Sequence, residues 1–443
     1  MNEKLNNVLD QDLFEQALDF AQKIFPYHKS VTGDGIDMAF ENLKGEIGCR
    51  ILEYPTGTQI LDWQVPKSWK CKSLSITDLT NDETLVTLDH PLRVASHSNS
   101  FKGEMLGNAL KLKIATSSKV PNSLSHQYIY YVDGWSISMT QDEYDKIDDS
   151  HNYLVELKSE MYEGSLKVGE LVLNGSTPEM LFLSHMCHPA QFNDGLVGVL
   201  VNVYLAKWLN KYSENRTYTY KFLFMPETIG SHAYCSNKDN FKNSVMAVFT
   251  EMLALDAPLH IQMSESEDDL VNVYLRLAAK SSAYMARFSP YLGVIRNDEK
   301  VFGAPGIEVP SASVTRALGR EYSDHPYTSY HTSEDNVENS NIEGLKEALS
   351  YLQVFISIME EDRLVERQFD GIPMLSRHDL FFNPQTHRNM YDLQEKMVWQ
   401  LKRPKAISRI AEDLDADFFD ILDLLSRWEA KKLVKFTHIR KEV

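Results

Sequence analysis

Four short apolar runs, at residues 180–184, 220–225, 245–250 and 309–315, alternate with longer helical patterns between residue 179 and about residue 362. Runs of that length, separated by helices, are the signature of βα units, and they restrict the segment to a largely parallel sheet with helices on its faces. A helix is expected to begin near Gly195, and 270–287 reads as a less regular segment. Ile342, Leu345, Leu349, Leu352, Phe355 and Met359 recur at three- and four-residue steps and trace one helix face.

The rest of the chain has other textures. Residues 10–25 carry Leu13, Phe14, Ala17, Leu18, Ala21, Ile24 and Phe25 at helical spacing, with an acidic start and Pro26 as the stop. From about residue 51 to 175, short β-branched and aromatic runs are broken by Gly, Pro and Asn-Asp turns, which reads as a β-rich module. Its Trp63, Trp69 and Trp135 suit a packed β core or a wall for a stacked ligand, and the core is the expectation because aromatics are also strand formers. The tail shows helical patterns at 391–401, 406–414 and 417–433 and then VKFTHI as a strand, a winged-helix arrangement.

Charge excludes one partner class. With 63 Asp and Glu against 45 Lys and Arg, the net charge of -18 opposes DNA and anionic membranes. The expected recognition helix repeats this locally, with Asp417, Asp420 and Asp423 in its first turns, so the tail reads as a protein contact or dimer module and not a duplex reader. Four scattered cysteines form no CxxC pair, the first twenty residues lack a signal-peptide pattern, and no apolar stretch is long enough for a bilayer span. A cytoplasmic protein with reduced thiols is expected.

In an open α/β sheet, ligands bind beyond the carboxyl ends of the strands. The residues that follow the apolar runs are His185-Met-Cys-His188 and Asn193-Asp194-Gly195 after the first, Glu227 after the second, Glu251 after the third, and Tyr330-His331 past a loop after the fourth. Imidazole and carboxylate donors without excess thiolate form the ligand set of a catalytic zinc with an open position. His185 and His188 are alternatives for one ligand position. Cys187 lacks an evident base partner and reads as a buried structural thiol.

That order resembles the cocatalytic zinc aminopeptidases of the aminopeptidase Y and glutamate carboxypeptidase type. YPTGTQILDWQVPKSW, SHMCHPAQFNDG, PETIGS and SYHTSEDN are more closely similar to a bacterial family with an aminopeptidase-like domain, an inserted β domain and a C-terminal winged helix, often found near polysaccharide biosynthesis functions. The resemblance implies an α/β fold with a mostly parallel mixed sheet and flanking helices. It divides the chain into a catalytic domain (1–50 and 130–375), an inserted β-rich domain (51–129) and a winged helix-turn-helix domain (376–443). It makes Asp194 the carboxylate shared between metals, His331 and Glu251 further ligands, His185 the first histidine, His188 a ligand through the CHP pattern, and Glu227 the general base. Two positions depart from the pattern. Thr228 stands where a second, metal-binding Glu is expected, and Cys187 where an Asp follows the first histidine by two.

The expected function is a zinc-dependent amide hydrolase with one or two ions, acting on a peptide or an N-acylated small molecule by metal-activated water. Tyr330 is a candidate oxyanion donor, Asp298 and Glu299 are candidates for a substrate-facing acidic loop, and Arg316 for a substrate carboxylate. The alternative is a catalytically weakened metal-binding or regulatory protein that uses the winged helix for protein contacts.

Overall fold

In a computed structural model, which describes residues 8–438 apart from 283, 320–322 and 324, the four apolar runs are neighbouring strands of one eight-stranded sheet. In chain order the strands are β1 (Arg50–Pro55), β2 (Ser165–Leu173), β3 (Glu179–His185), β4 (Thr219–Met225), β5 (Ser244–Thr250), β6 (Leu259–Gln262), β7 (Ala286–Ser289) and β8 (Ser311–Thr315). Their spatial order is β1-β2-β4-β3-β5-β8-β6-β7. The central four, β4, β3, β5 and β8, run parallel, and antiparallel pairing begins on either side of them, at β2 and at β6. Every residue of β8, and all but the first one or two of β3, β4 and β5, is buried, which is why these runs are apolar throughout and do not alternate.

Helices α1 (Gln11–Ile24), α2 (Asp34–Ile47), α3 (Val197–Tyr212), α4 (Ile229–Cys235), α5 (Leu270–Ser281), α6 (Asp298–Phe302) and α7 (Ile342–Glu361) accompany the sheet. Asp10 caps α1 by accepting the Leu13 N–H at 3.2 Å, and the stripe Phe14, Ala17, Phe20, Ala21 and Ile24 is buried. α3 is buried nearly all round, and a Cβ at Gly198 would lie 2.0 Å from the Thr250 carbonyl, so only glycine lets its first turn rest on the end of β5. Within the segment expected to be irregular, 270–287, Leu270–Ser281 is instead the regular helix α5, and edge strand β7 begins at Ala286. No helix among the described residues is long and apolar enough to cross a membrane.

The sheets divide the chain differently from the expected boundaries. Arg50–Pro55 pairs with Ser165–Leu173 in the central sheet, whereas Asn152–Tyr162 belongs to a separate antiparallel sheet with Ser68–Asp78, Glu83–Thr87 and Phe101–Leu106. The module expected at 51–129 is thus displaced at both ends: residues 51–55 belong to β1, and the excursion between β1 and β2 continues through 130–162. Because Pro55 and Ser165 are register partners, the excursion leaves and re-enters at neighbouring points. Trp69, Leu74, Ile76, Trp135, Ile137, Val155 and Leu157 form the module's own core.

In the tail, helices α8 (Arg388–Gln400), α9 (Ile407–Asp413) and α10 (Phe418–Ala430) accompany a small antiparallel sheet. Its middle strand, Leu364–Arg367, precedes the expected boundary at 376. Buried Asp362 ties the tail to the core, accepting from Ser408 N at 3.0 Å, Ser408 Oγ at 2.6 Å and the Tyr274 hydroxyl at 3.0 Å.

Candidate metal centre

Parallel strands that end on one edge bring residues remote in sequence together. His185 is the last residue of β3, and His188 follows it in the next loop. Glu227 stands just beyond β4, and Glu251 directly follows β5. Asp194 occupies a sharp turn before α3, made possible by Gly195 at φ +114°, where a Cβ would meet the His185 ring at 3.0 Å. His331 comes from the loop between β8 and α7 and itself has φ +58°, a strained value for a non-glycine residue.

The side chains converge. His185 Nε2 lies 3.2 Å from Asp194 Oδ1 and 3.5 Å from Glu251 Oε2. His188 Nε2 lies 3.8 Å from Asp194 Oδ2 and 3.6 Å from Glu227 Oε2. His331 Nε2 is 2.9 Å from Asp194 Oδ2, yet neither atom has a hydrogen-bond partner, and both His185 nitrogens are unpaired as well. Buried polar atoms that lie close together without pairing are costly unless a third body satisfies them. The donors are nitrogen and oxygen on rigid strand ends, so this set fits a borderline divalent cation. Among the described residues three groupings have all their donor atoms within 4.8 Å of one another: His185–Asp194–Glu251, His185–His188–Glu227 and His126–His188–His331.

Electrostatics agree. Burial opposes a charge on His185, but the carboxylates of Asp194, Glu251 and Glu227 reverse this and raise its pKa to about 10. Burial pushes Glu251 well above and Glu227 above the ordinary carboxyl range. Asp194 lies well below it, because His188, His185 and His331 outweigh its burial. His188, dominated by burial, falls to about 3 and is a neutral imidazole.

Each expected site residue has a definite place. His185, His188, Asp194, Glu227, Glu251 and His331 meet in one cluster, and His185 and His188, read as alternatives, are both in it. Tyr330 stacks on His331 with ring centroids 3.9 Å apart and lines the adjoining cavity. Asp298 and Glu299 are not substrate-facing. Both are fully buried in α6, where Asp298 accepts from Thr228 N at 2.8 Å and Ser231 Oγ at 2.5 Å, and Glu299 accepts from Gln262 Nε2 at 3.1 Å. Arg316 is likewise used internally, donating to the carbonyls of Ala257 and Gly344 and to Glu347. A charged triplet in a Gly- and Pro-rich stretch looks like an exposed loop, and only the packing of α6 shows otherwise.

Three supporting residues had no signal in the sequence. Asn297 donates to both Glu251 oxygens at 2.9 Å. Asp335 accepts from Asn193 N at 2.8 Å, Asp194 N at 3.0 Å and the Tyr327 hydroxyl at 2.8 Å, cross-tying the Asp194 and His331 loops. His126, from the inserted module, is buried against His188 and His331. Cys187 is buried, as read, and its sulfur accepts the Glu227 N–H at 3.3 Å.

The centre opens into a cavity of about 520 Å³. Trp63, Tyr128, Tyr130 and Tyr131 wall it from the inserted module, and Ile229 and His232 face them from α4. The tryptophans therefore divide: Trp69 and Trp135 are core, while Trp63 is partly exposed and packs on His232.

Comparison with known proteins agrees with this architecture. A Clostridium acetobutylicum protein, provisionally named as a polysaccharide biosynthesis protein with an aminopeptidase-like domain, is 31% identical over 344 residues, which is 76% of this chain and 76% of that protein. A C. acetobutylicum structure provisionally described as a peptidase superimposes with a TM-score of 0.84, covering 96% of this chain and 98% of that one at 24% identity. A zinc aminopeptidase from Bacillus subtilis superimposes with a TM-score of 0.54, covering 78% and 94% at 12% identity. Residues 18–362 match the model of the family described as "Domain of unknown function (DUF4910)", and the chain belongs to that family.

Proposed function

We propose that the protein is a zinc-dependent amide hydrolase that prefers an N-acylated small molecule to a peptide with a free amine. The observation that carries this reading is the meeting of His185, His188, Asp194, Glu227, Glu251 and His331 at the rim of the parallel sheet, with buried donor atoms left unpaired. Zinc, when bound, supplies a Lewis acid for the scissile carbonyl and lowers the pKa of water to about 7. His185, Asp194 and Glu251 would hold the ion, and Asn297, which donates to both Glu251 oxygens, would fix that carboxylate's orientation. Glu227, partly open to the cavity, takes a proton from water at Oε and returns it to the leaving nitrogen. Burial is the chief cause that raises its pKa above the ordinary carboxyl range, the direction a general base needs. Tyr330 orients the His331 ring by stacking and is placed to face the substrate.

The cavity wall supports the substrate preference. Among its described residues Glu227 is the single carboxylate, and Asp298 and Glu299 are occupied inside α6, so a substrate ammonium finds no acidic pocket beside the base. Aromatic rings opposite α4 instead suit the apolar face of a sugar or a similar flat group. The B. subtilis structure is a zinc aminopeptidase, and the C. acetobutylicum relative is named for polysaccharide biosynthesis, in keeping with an amide bond on a saccharide.

The deciding variant is Glu227→Gln. Turnover on N-acetylated sugars is expected to fall by about 10²- to 10⁴-fold with zinc content unchanged. Loss of zinc in this variant would make Glu227 a ligand. Absence of hydrolysis by the zinc-loaded wild type on N-acetylated sugars and aminoacyl amides alike would overturn the reading. Thr228 favours a second reading, a metal-binding regulatory protein with weakened catalysis, because its position lacks the expected carboxylate. There the tail, read as a winged helix, would serve protein contacts.

A further inference from the structure

We propose that His126 of the inserted module is a metal ligand, forming with His188 and His331 a second cation site beside His185–Asp194–Glu251. Resting on the metal-centre reading above, this assigns the inserted module a part in building the site. The three imidazoles belong to three separate regions of the chain, and their donor nitrogens lie within 4.8 Å of one another. Ring centroids are 5.2 Å apart for His126 and His188, 5.0 Å for His126 and His331, and 5.4 Å for His188 and His331. Ligands around a tetrahedral zinc with Zn–N of about 2.0–2.1 Å stand about 3.4 Å apart, so small ring rotations close the set.

The remaining atoms point the same way. His188 Nδ1 faces the Cys187 sulfur at 3.7 Å, leaving Nε2 for the site. His331 Nε2 is buried and unpaired although 2.9 Å from Asp194 Oδ2, itself unpaired, as expected of two atoms that share a third partner. Asp194 thus stands between both sites, with Oδ1 toward His185 and Oδ2 toward His331.

His126 is also held in place. Its N–H donates to the His331 carbonyl at 2.8 Å, Ser125 and Thr332 form an antiparallel bridge, Leu124 N donates to Ser333 Oγ at 3.0 Å, and Ser333 N donates to the Leu124 carbonyl at 2.9 Å. This short pairing delivers two imidazoles from opposite strands to one place. His126 thereby adds a third imidazole nitrogen to His188 and His331, a donor set that suits zinc.

The test is metal stoichiometry and spectroscopy on the full chain. Wild type is expected to bind two zinc ions, and to show two steps in a Co²⁺ titration followed by visible absorption. His126→Phe, which keeps a packed ring but no donor, is expected to bind one ion tightly, with affinity at the other site reduced at least about tenfold. Should the Phe variant not fold, as judged by circular dichroism, His126→Asn takes its place. Two ions bound with unchanged affinity in the folded variant, or a single ion in saturated wild type, overturns the proposal. Two ions in wild type and one in the variant sustain it even if no amide is hydrolysed, a result that would count only against the hydrolase reading.

Discussion

Glu299 shows how far a residue's environment can depart from what its neighbours in sequence suggest. Burial, opposed by hydrogen bonds from Asn297 and Gln262, raises its pKa from 4.5 to about 7. Between these values the folded chain holds a proton that the unfolded chain has released. Its contribution to stability is therefore fully present below pH 4.5 and is lost as pH rises to about 7. Glu299→Gln keeps an acceptor oxygen and removes the titration. Relative to wild type it is expected to gain up to about 2–3 kcal/mol between pH 5 and pH 8, read as the pH dependence of the denaturation midpoint. An unchanged difference across that range would show that Glu299 is ionised in the fold. At this scale the candidate metal-binding side chains were legible because His185, Glu227 and Glu251 stand at or just beyond the ends of apolar runs, while Asp194 and His331 lie in the loops that follow. Asp298, Glu299 and Arg316 were misread because charge in a loop-like stretch signals exposure unless tertiary partners are known.

At the scale of elements, α6 acts as a brace for the centre. Its first turn carries Asp298, which holds Thr228 and Ser231 at the start of α4, and Asn297 before it clamps Glu251 at the end of β5. Partners of this kind set the orientation of a ligand and not its identity. Asn297→Ala is expected to weaken zinc binding by about 10- to 100-fold while leaving the fold intact, measured by competition with a chromophoric chelator. Equal affinity would show that β5 alone orients Glu251. The strands that carry the site were readable from burial on both faces. α5 and α6 were not, since one interleaves apolar and polar residues within a mixed segment and the other is a single turn. Element pairing was equally hidden: the partner of Arg50–Pro55 follows a module of about a hundred residues, and Leu364–Arg367 joins strands of the tail.

Across the whole molecule, the candidate centre draws on the sheet edge, the β8–α7 loop and the inserted module, so a cation bound there would link parts with separate cores. Ligands that bind only the folded state stabilise it by mass action, by about 4 kcal/mol at a thousandfold excess over Kd. Exhaustive chelation is accordingly expected to lower Tm by several degrees, with recovery on adding zinc, by differential scanning calorimetry. A Tm indifferent to chelation would argue against a resident ion. The order of apolar runs and the residues after them determined the parallel sheet and most of the candidate ligand set, because local hydrophobic pattern and strand direction together place those side chains on one edge. Tertiary structure alone decided that His126 reaches the centre, that Asn297 and Asp335 support it, and that Asp298, Glu299 and Arg316 do not face substrate. The physical reason is that burial and long-range pairing depend on which distant segments meet, a property no local stretch of sequence contains.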